Sequence, residues 1–401
     1  MLSVIRENVR LAPYTTLRIG GIARYFADID HEEQLREALH FAQSHKLPTF
    51  VLGSGSNVLF ADSGFAGVIL HPVNKGIAFQ KPNKDLALVT VAAGEDWDRF
   101  VEQCVARALA GLECLSGIPG LVGATPIQNV GAYGQEVSET IVSVRAFDRR
   151  QNHVVELTNE ECQFSYRASL FNTTERDRYF VLAVTYKLKP HGAPTLAYAD
   201  LQKLFAQHKQ PPTLEEVRAA VLAIRMSKGM LIVPNDPDCQ SVGSFFKNPM
   251  VAPEQLAQVE AAASEFVPRF PAANGQVKIP AAWLIEKAGF HKGYECGRVG
   301  ISSKHTLALI NRSNATAREL VALVRQIQQQ VQARFGIALV PEPVWVGIET
   351  QPLAAPPPPR PEVRPQKTAA TVPLPLPLKP ARKARKPEHN PLKAERKKWF
   401  E

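Results

Sequence analysis

The sequence predicts an α+β protein of more than one domain, and three observations carry that expectation. Strand and helix signals alternate through the first 60 residues, two glycine-rich segments each adjoin a strand-like run, and the composition changes abruptly after residue 350. With 401 residues, 45% of them hydrophobic, the chain can fill more than one core, since single cores stop growing near ~250 to 300 residues. Two or three domains are expected.

Taken in order, Asp30 and Glu33 suggest a capping box for a helix with Leu35, Leu39 and Ala42 on one face, which Pro48 stops. Thr49–Leu52 follows as a short buried strand running into glycine. Leu86–Val91 reads as a strand, and a helix from about Glu95 carries Trp97, Val101 and Val105 on its apolar face. Ile141–Phe147 and Tyr179–Lys187 are further strands. A late helix opens on the capping box of Thr316 and Glu319, carries Leu320, Leu323, Ile327, Val331 and Phe335 at helical spacing, and ends at Gly336.

Composition excludes several classes. The five cysteines are odd in number, widely spaced and free of CxxC pairs, against a disulfide framework or a cysteine-type zinc site. The histidines, His291 and His305 included, form no metal-binding spacing. Charges at Arg6 and Glu7 interrupt the place of a signal peptide, and no run of about 18 apolar residues occurs, so a cytoplasmic chain with no membrane insertion is expected. The net charge of +9 is concentrated in residues 351–401, which hold 12 Lys/Arg against 4 Asp/Glu and 13 of the 32 prolines. Runs such as Pro356–Pro359 favour extended geometry, so a disordered basic tail is expected there, with no partner specified by its composition.

Gly53-Ser54-Gly55-Ser56-Asn57 follows a strand with backbone N–H groups that an anion can approach closely. It is neither a lysine-bearing phosphate loop nor a GxGxxG fingerprint. The longer segment Ser116–Gly134 combines Gly117, Gly120, Gly123, Gly131 and Gly134 with Thr125, Gln128, Asn129 and Tyr133. Close approach together with hydrogen-bonding capacity suits a backbone wrapped on a polar cofactor.

Two such segments about 60 residues apart resemble the two-lobed FAD-binding region of the vanillyl-alcohol-oxidase/PCMH type. Gly-Ser-Gly-Ser-Asn-Val-Leu, with Ile118-Pro119-Gly120 and Pro126-Ile-Gln-Asn-Val-Gly-Ala-Tyr-Gly134, resembles the UDP-N-acetylenolpyruvoylglucosamine reductase family. Thr15–Gly21, Phe164–Phe171, Gly243–Pro249 and Ala281–Glu286 match its further motifs in family order.

The resemblance implies FAD and NADPH as cofactors and UDP-N-acetylglucosamine enolpyruvate as substrate. NADPH reduces the flavin, which passes a hydride to the enolpyruvyl methylene carbon. In its catalytic set Arg167 grips the carboxylate, Ser244 donates a proton to the carbanionic carbon, and Glu342 works with Arg167 on the enolate-like intermediate. Glu342 can donate only when protonated, which needs a raised pKa. Where the family commonly has Leu-Glu-Pro-Glu-Val, this chain has Val340 and Pro343, which alters the chain that sets Glu342. The same resemblance assigns the cofactor to Gly53–Asn57, Ser116, Ile118, Pro119, Gly120, Gly123, Thr125, Gln128, Asn129, Gly131, Tyr133 and Arg225. Tyr198, Lys228 and Asn248 fall to substrate, and Tyr198 marks the subtype with a closing loop.

The expected organisation is FAD-binding lobes at 1–72 and 73–215, a smaller α+β substrate domain at 216–312, a returning helix and strand at 313–350, and the tail at 351–401. A monomer is expected. The rivals are a flavin oxidase, which often carries an attachment histidine near the first glycine segment, and a non-enzymatic scaffold recruiting through its tail. No histidine lies between His45 and His71.

Overall fold

The structure, a computed structural model, describes residues 5–349; the tail call lies outside the described residues. The first sheet runs in the order Ile5–Arg10, Ile22–Ile29, Phe65–Pro72, Thr49–Val51. Its first pair is antiparallel and the other two are parallel. Helix Glu32–Ser44 covers it, seating Leu35, Ala38 and Ala42 against Ala27, Ile29, Val68 and Leu70.

The expected capping box at the start of this helix is corrected. The N-cap is His31, whose side chain caps nothing, and the Asp30 N–H is met by Gln34 Oε1 at 2.8 Å. The helix starts one residue later than expected, so Glu32 and Glu33 fall in the first turn, where the helix dipole favours them. Thr49–Val51 is also half-buried instead of buried. It is an edge strand whose Phe50 and Val51 line a cavity.

The second sheet is antiparallel in the order His153–Thr158, Ile141–Asp148, Tyr179–Pro190, Leu86–Ala92, Ile77–Asn83. Against it packs helix Trp97–Ala106, capped by Asp96 accepting from the Arg99 N–H at 2.9 Å. Trp97, Phe100 and Val101 are fully buried, each contributing about 1.5–3 kcal/mol by leaving water. Phe147, Phe180 and Leu182 from this sheet join the core of the first one, which fixes the seam between the lobes.

A third core gathers helices Pro253–Ala263, Ala281–Lys287 and Ala317–Phe335, with Leu17, Ile19 and Leu59 from the first lobe. The last of these helices has the expected cap, Thr316 accepting from the Glu319 N–H, and ends on Gly336 at φ +67. Strand Val344–Val346 then pairs parallel with Val58–Phe60, directly after the first glycine segment. Among the described residues no helix is long and apolar enough to cross a membrane.

Candidate active site

The first glycine segment is shaped by the opening motif. Gly55 sits at φ +65, and a Cβ there would lie 2.1 Å from the Tyr14 carbonyl oxygen, so only glycine fits. Thr16 causes that crowding: its N–H donates to Gly55 O at 3.2 Å, and its hydroxyl donates to Ser241 O at 2.6 Å. Gly53 and Gly120 answer a different need. A Cβ on Gly53 would come no closer than 3.8 Å to Ala124, and one on Gly120 would meet Ser56 Oγ at 3.8 Å, so neither is glycine because of crowding, and both line the smaller cavity.

The side chains of Ser116–Gly134 divide. Ser116 donates to Glu113 O at 2.6 Å, Thr125 donates to Val122 O at 2.8 Å and bonds Tyr186 Oη at 2.8 Å, and Asn129 donates to Glu136 Oε2 at 2.7 Å. All three are buried, and these side-chain bonds are made within the fold. Those bonds shape the segment and fix its backbone. Gly123 is a packing glycine, since a Cβ would sit 2.5 Å from that of Ala93. Ile118 packs on the second core, whereas Pro119 and Gly120 line a cavity.

Gln128 faces the other way. It accepts from Asn57 Nδ2 at 2.8 Å and donates from Nε2 to Glu342 Oε1 at 3.3 Å, joining both glycine segments to the predicted catalytic carboxyl. Pro343 does not disturb this. The Glu342 N–H donates to Phe245 O at 2.9 Å and the next backbone donor in use is Val344, to Asn57 O at 3.0 Å, so the missing N–H falls between.

Arg167 occupies a two-residue turn closed by reciprocal Ser165 and Ala168 backbone bonds, at φ +55. That conformation is strained for a residue bearing a side chain and is held by surrounding contacts. Nη2 donates to Gly131 O at 2.7 Å, and Nε stands 3.3 Å from Glu342 Oε1, with side-chain exposures of 20% and 14%. Burial pushes the Glu342 carboxyl above its ordinary range, against the pull of Arg167 and Lys247. Ser244 precedes Phe245, whose carbonyl holds the Glu342 backbone, and pairs with Ala308 across an isolated bridge. The three predicted catalytic residues therefore share one neighbourhood built from remote segments.

A second cluster adjoins. Lys228 Nζ pairs with Asp200 Oδ2 at 3.0 Å and lies 5.9 Å and 5.6 Å from the ring centres of Tyr133 and Tyr198, which meet edge to face at 5.1 Å. Tyr133, expected at the cofactor, thus stands with the predicted substrate residues. Arg225 is buried, donating to Gly117 O at 3.0 Å and Met230 O at 2.6 Å. Asn248 accepts from the Ala281 N–H at 2.9 Å and reaches the Tyr166 hydroxyl.

Sequence reasoning passed over Lys247, which lines a cavity with Glu342, and Tyr166, over whose ring Lys278 Nζ sits at 5.1 Å. Both are neighbours of assigned motif residues, so the signal was present. His305, to which the sequence assigned no role, has its pKa lowered to about 4 by burial, helped by Lys228 and Lys292.

Two cavities flank the glycine segments. The larger, about 1040 Å³, is lined by Gly53, Gly123, Gln128, Lys247 and Glu342, among others. It stands at the upper end of ligand pockets, roughly 300–1,000 Å³. The smaller, about 510 Å³, is lined by Thr16, Gly53, Ser54, Pro119 and Gly120. Arg167 and Ser244 line neither. The Ser54 hydroxyl is buried without a partner, which costs about 1–3 kcal/mol unless a ligand atom completes it. Such a donor beside cavity-lining glycines fits the diphosphate of a dinucleotide cofactor.

A two-lobed α+β fold with glycine segments meeting at the seam defines a flavoprotein oxidoreductase. Residues 23–158 match the family described as FAD binding domain, and residues 235–346 match UDP-N-acetylenolpyruvoylglucosamine reductase, C-terminal domain. The UDP-N-acetylenolpyruvoylglucosamine reductase of Thermobifida fusca is 44% identical over 357 residues, covering 87% of this chain and 99% of that protein. That of Neisseria meningitidis is 40% identical, covering 85% and 97%. The crystal structure of the reductase from Thermus caldophilus superposes with a TM-score of 0.59 at 25% identity, covering 85% of this chain and 99% of the other. The chain belongs to the UDP-N-acetylenolpyruvoylglucosamine reductase family, flavoenzymes of peptidoglycan precursor synthesis.

Proposed function

We propose that this chain reduces UDP-N-acetylglucosamine enolpyruvate to UDP-N-acetylmuramate, with NADPH as the source of electrons, acting as a cytoplasmic monomer. The observation that carries the reading is the meeting of Arg167, a Glu342 carboxyl whose pKa burial raises, and the Ser244–Phe245 segment beside the glycine segments. Gly53, Ser54 and Gly120 would hold the cofactor's diphosphate, and Gln128 would face its reactive end. When bound, FAD supplies the hydride for the enolpyruvyl methylene carbon.

The protein's own task is the charge and the proton. As the methylene carbon is reduced, negative charge develops on the neighbouring carbon and its carboxylate. Arg167 stays charged at any working pH and grips that carboxylate. Glu342, whose pKa burial raises, donates a hydrogen bond to the enolate oxygen when it carries its proton, where stabilisation is worth most. Ser244 delivers a proton to the carbanionic carbon, completing the addition of one hydride and one proton. Tyr198 and Lys228 meet the diphosphate of the UDP-sugar, and Asn248 supports the sugar end.

The test is NADPH oxidation by the purified protein with and without the enolpyruvyl substrate. Substrate-dependent oxidation is expected, and oxygen consumption without substrate would overturn the reading. Ser244→Ala should leave flavin bleaching by NADPH nearly intact while slowing recovery of flavin absorbance on adding substrate by about 10²- to 10⁴-fold. Equal loss in both halves would remove the proton-donor role.

A further inference from the structure

The two carboxyl oxygens of Glu342 have different surroundings. Gln128 Nε2 donates to Oε1 at 3.3 Å, and Arg167 Nε stands 3.3 Å from the same atom. Among the described residues no hydrogen bond goes to Oε2. Nor is Oε2 one of the buried polar atoms left without a partner, which are Ser54 Oγ, Arg149 Nε and Trp345 Nε1. It therefore opens on the cavity that Glu342 lines. An oxygen that faces both an amide donor and a cation serves as an acceptor, and a proton placed on it would point at other hydrogens.

The direction of the Gln128 amide is itself fixed. Asn57 Nδ2 donates to two acceptors, the Glu342 backbone oxygen at 3.5 Å and Gln128 Oε1 at 2.8 Å. A backbone carbonyl only accepts, so the nitrogen of Asn57 is the end that faces it. Gln128 then turns its oxygen to Asn57, which leaves Nε2 for Glu342. The main chain holds both ends of this relay in place, because the Val344 N–H donates to Asn57 O at 3.0 Å and the Glu342 N–H to Phe245 O at 2.9 Å. The relay thus starts on the backbone of Glu342 and returns to its side chain.

A neutral amide suits this position. Arg167 and Lys247 already pull the Glu342 pKa down against burial, and Tyr166 lies close enough to feel the same carboxyl. A further cation would ionise the group, whereas an amide directs a proton with little added pull.

We propose that Gln128 is a positioning residue: held by Asn57, it reserves Glu342 Oε1 as an acceptor and so places the carboxyl proton on Oε2, the oxygen open to the cavity. This deepens the function proposed above and rests on Glu342 acting there as a hydrogen-bond donor. With the proton on Oε1 the enolate would meet a lone pair instead of a hydrogen.

The test follows the two half-reactions of the flavin-loaded full chain across pH. Gln128→Met keeps the length of the side chain without its amide. Recovery of flavin absorbance on adding the enolpyruvyl substrate should slow by about ten- to a hundredfold, while flavin bleaching by NADPH changes little. The pH at which that recovery falls off on the alkaline side should rise by about half a unit to one unit, since a hydrogen bond to the ionised carboxylate is gone. A variant that was merely loosened would lose rate with this limb unmoved. Gln128→Glu is isosteric and keeps the bond from Asn57, and its carboxyl would share one proton with Glu342, carrying the limb further up. In Glu342→Gln, which has no proton to lose, adding Gln128→Met should leave the pH dependence unaltered.

An unmoved limb in both Gln128 variants, equal loss in both half-reactions, or the same pH shift in the Glu342→Gln background would overturn the inference. A wild-type recovery step with no alkaline limb would instead overturn the protonated Glu342 beneath it. Should Gln128→Met fail to fold or to keep its flavin, the limb of Gln128→Glu, with and without Glu342→Gln, decides.

Discussion

Two arginine–carboxylate pairs lie between the elements of this protein, and they hold their protons in opposite ways. Asp148 is fully buried and receives Arg178 Nη2 at 2.5 Å, Arg178 Nε at 3.0 Å, and the N–H groups of Arg150 and Gln151 at 2.9 Å and 3.1 Å. Those donors hold its carboxyl below the ordinary carboxylate range, the Arg178 bond first among them. Glu342 has two longer contacts, Arg167 Nε and Gln128 Nε2, each at 3.3 Å, and burial lifts its pKa. The saturated pair closes a turn between strands. The unsaturated pair leaves a carboxyl with a raised pKa beside an arginine, which is what a site needs and a joint does not.

The sharpest way to break this contrast is to remove each arginine in turn. Arg167→Met should lower turnover by about 100- to 1,000-fold, the loss on removing one donor to a developing oxyanion. Its melting temperature should stay close to that of the wild type. Arg178→Met should do the reverse, lowering the melting temperature by several degrees while the folded fraction keeps its turnover. Steady-state rates beside thermal melts would show it, and comparable loss of turnover in both variants would mean the two pairs do not differ in kind.

A smaller effect, opposite in sign for the two carboxyls, sharpens the comparison. Between the lowered pKa of Asp148 and its ordinary value of 3.8, the unfolded chain binds a proton that the folded chain does not. Stability from Asp148 is therefore present above about pH 4 and is lost as pH falls through the lowered value. Glu342 is raised above 4.5, so its contribution is present below that pH and is lost as pH rises through the raised value. Asp148→Asn should remove slope from the acid limb of a melting profile, and Glu342→Gln from the limb above about pH 4.5. Turnover should fall about tenfold per pH unit once Glu342 ionises, and Glu342→Gln, a permanent donor, should flatten that fall. A wild-type profile with no such limb would mean the proton is not needed.

These two pairs also mark what could be read in advance. Arg167, Ser244 and Glu342 stood in ordered motifs, and the structure brings their segments together. Asp148 and Arg178 are 30 residues apart in polar stretches that read as surface, because nothing local distinguishes a charge that folds inward from one that stays solvated. The same limit explains Thr49–Val51. An apolar residue facing a cavity and one facing a core look alike in sequence, so the strand was expected to be buried and is not. Ser116, Thr125 and Asn129 show the converse, polar residues within a glycine-rich segment whose hydrogen bonds are consumed inside the fold. Local signals succeeded where the cause is local, as in the Thr316 cap and the Gly336 stop.

The smallest expected effect concerns residues 351–401, which lie outside both pairs and outside the described residues. The Thermobifida fusca relative is matched over 99% of its length by 87% of this chain, so a member of this family is built with less chain than is present here. Strand Val344–Val346, paired to Val58–Phe60, already returns the chain past Glu342 to the first lobe. Removing 351–401 should therefore leave kcat, KM for both substrates, and the contrast between Arg167 and Arg178 variants unchanged within error. The full-length and shortened proteins would be compared at low and high salt, because a tail of net charge +8 would act on an acidic substrate through interactions that salt screens. A KM for the UDP-sugar that rises on truncation at low salt only would make the tail an electrostatic collector of substrate, and a fall in kcat at both salts would tie it to the site itself.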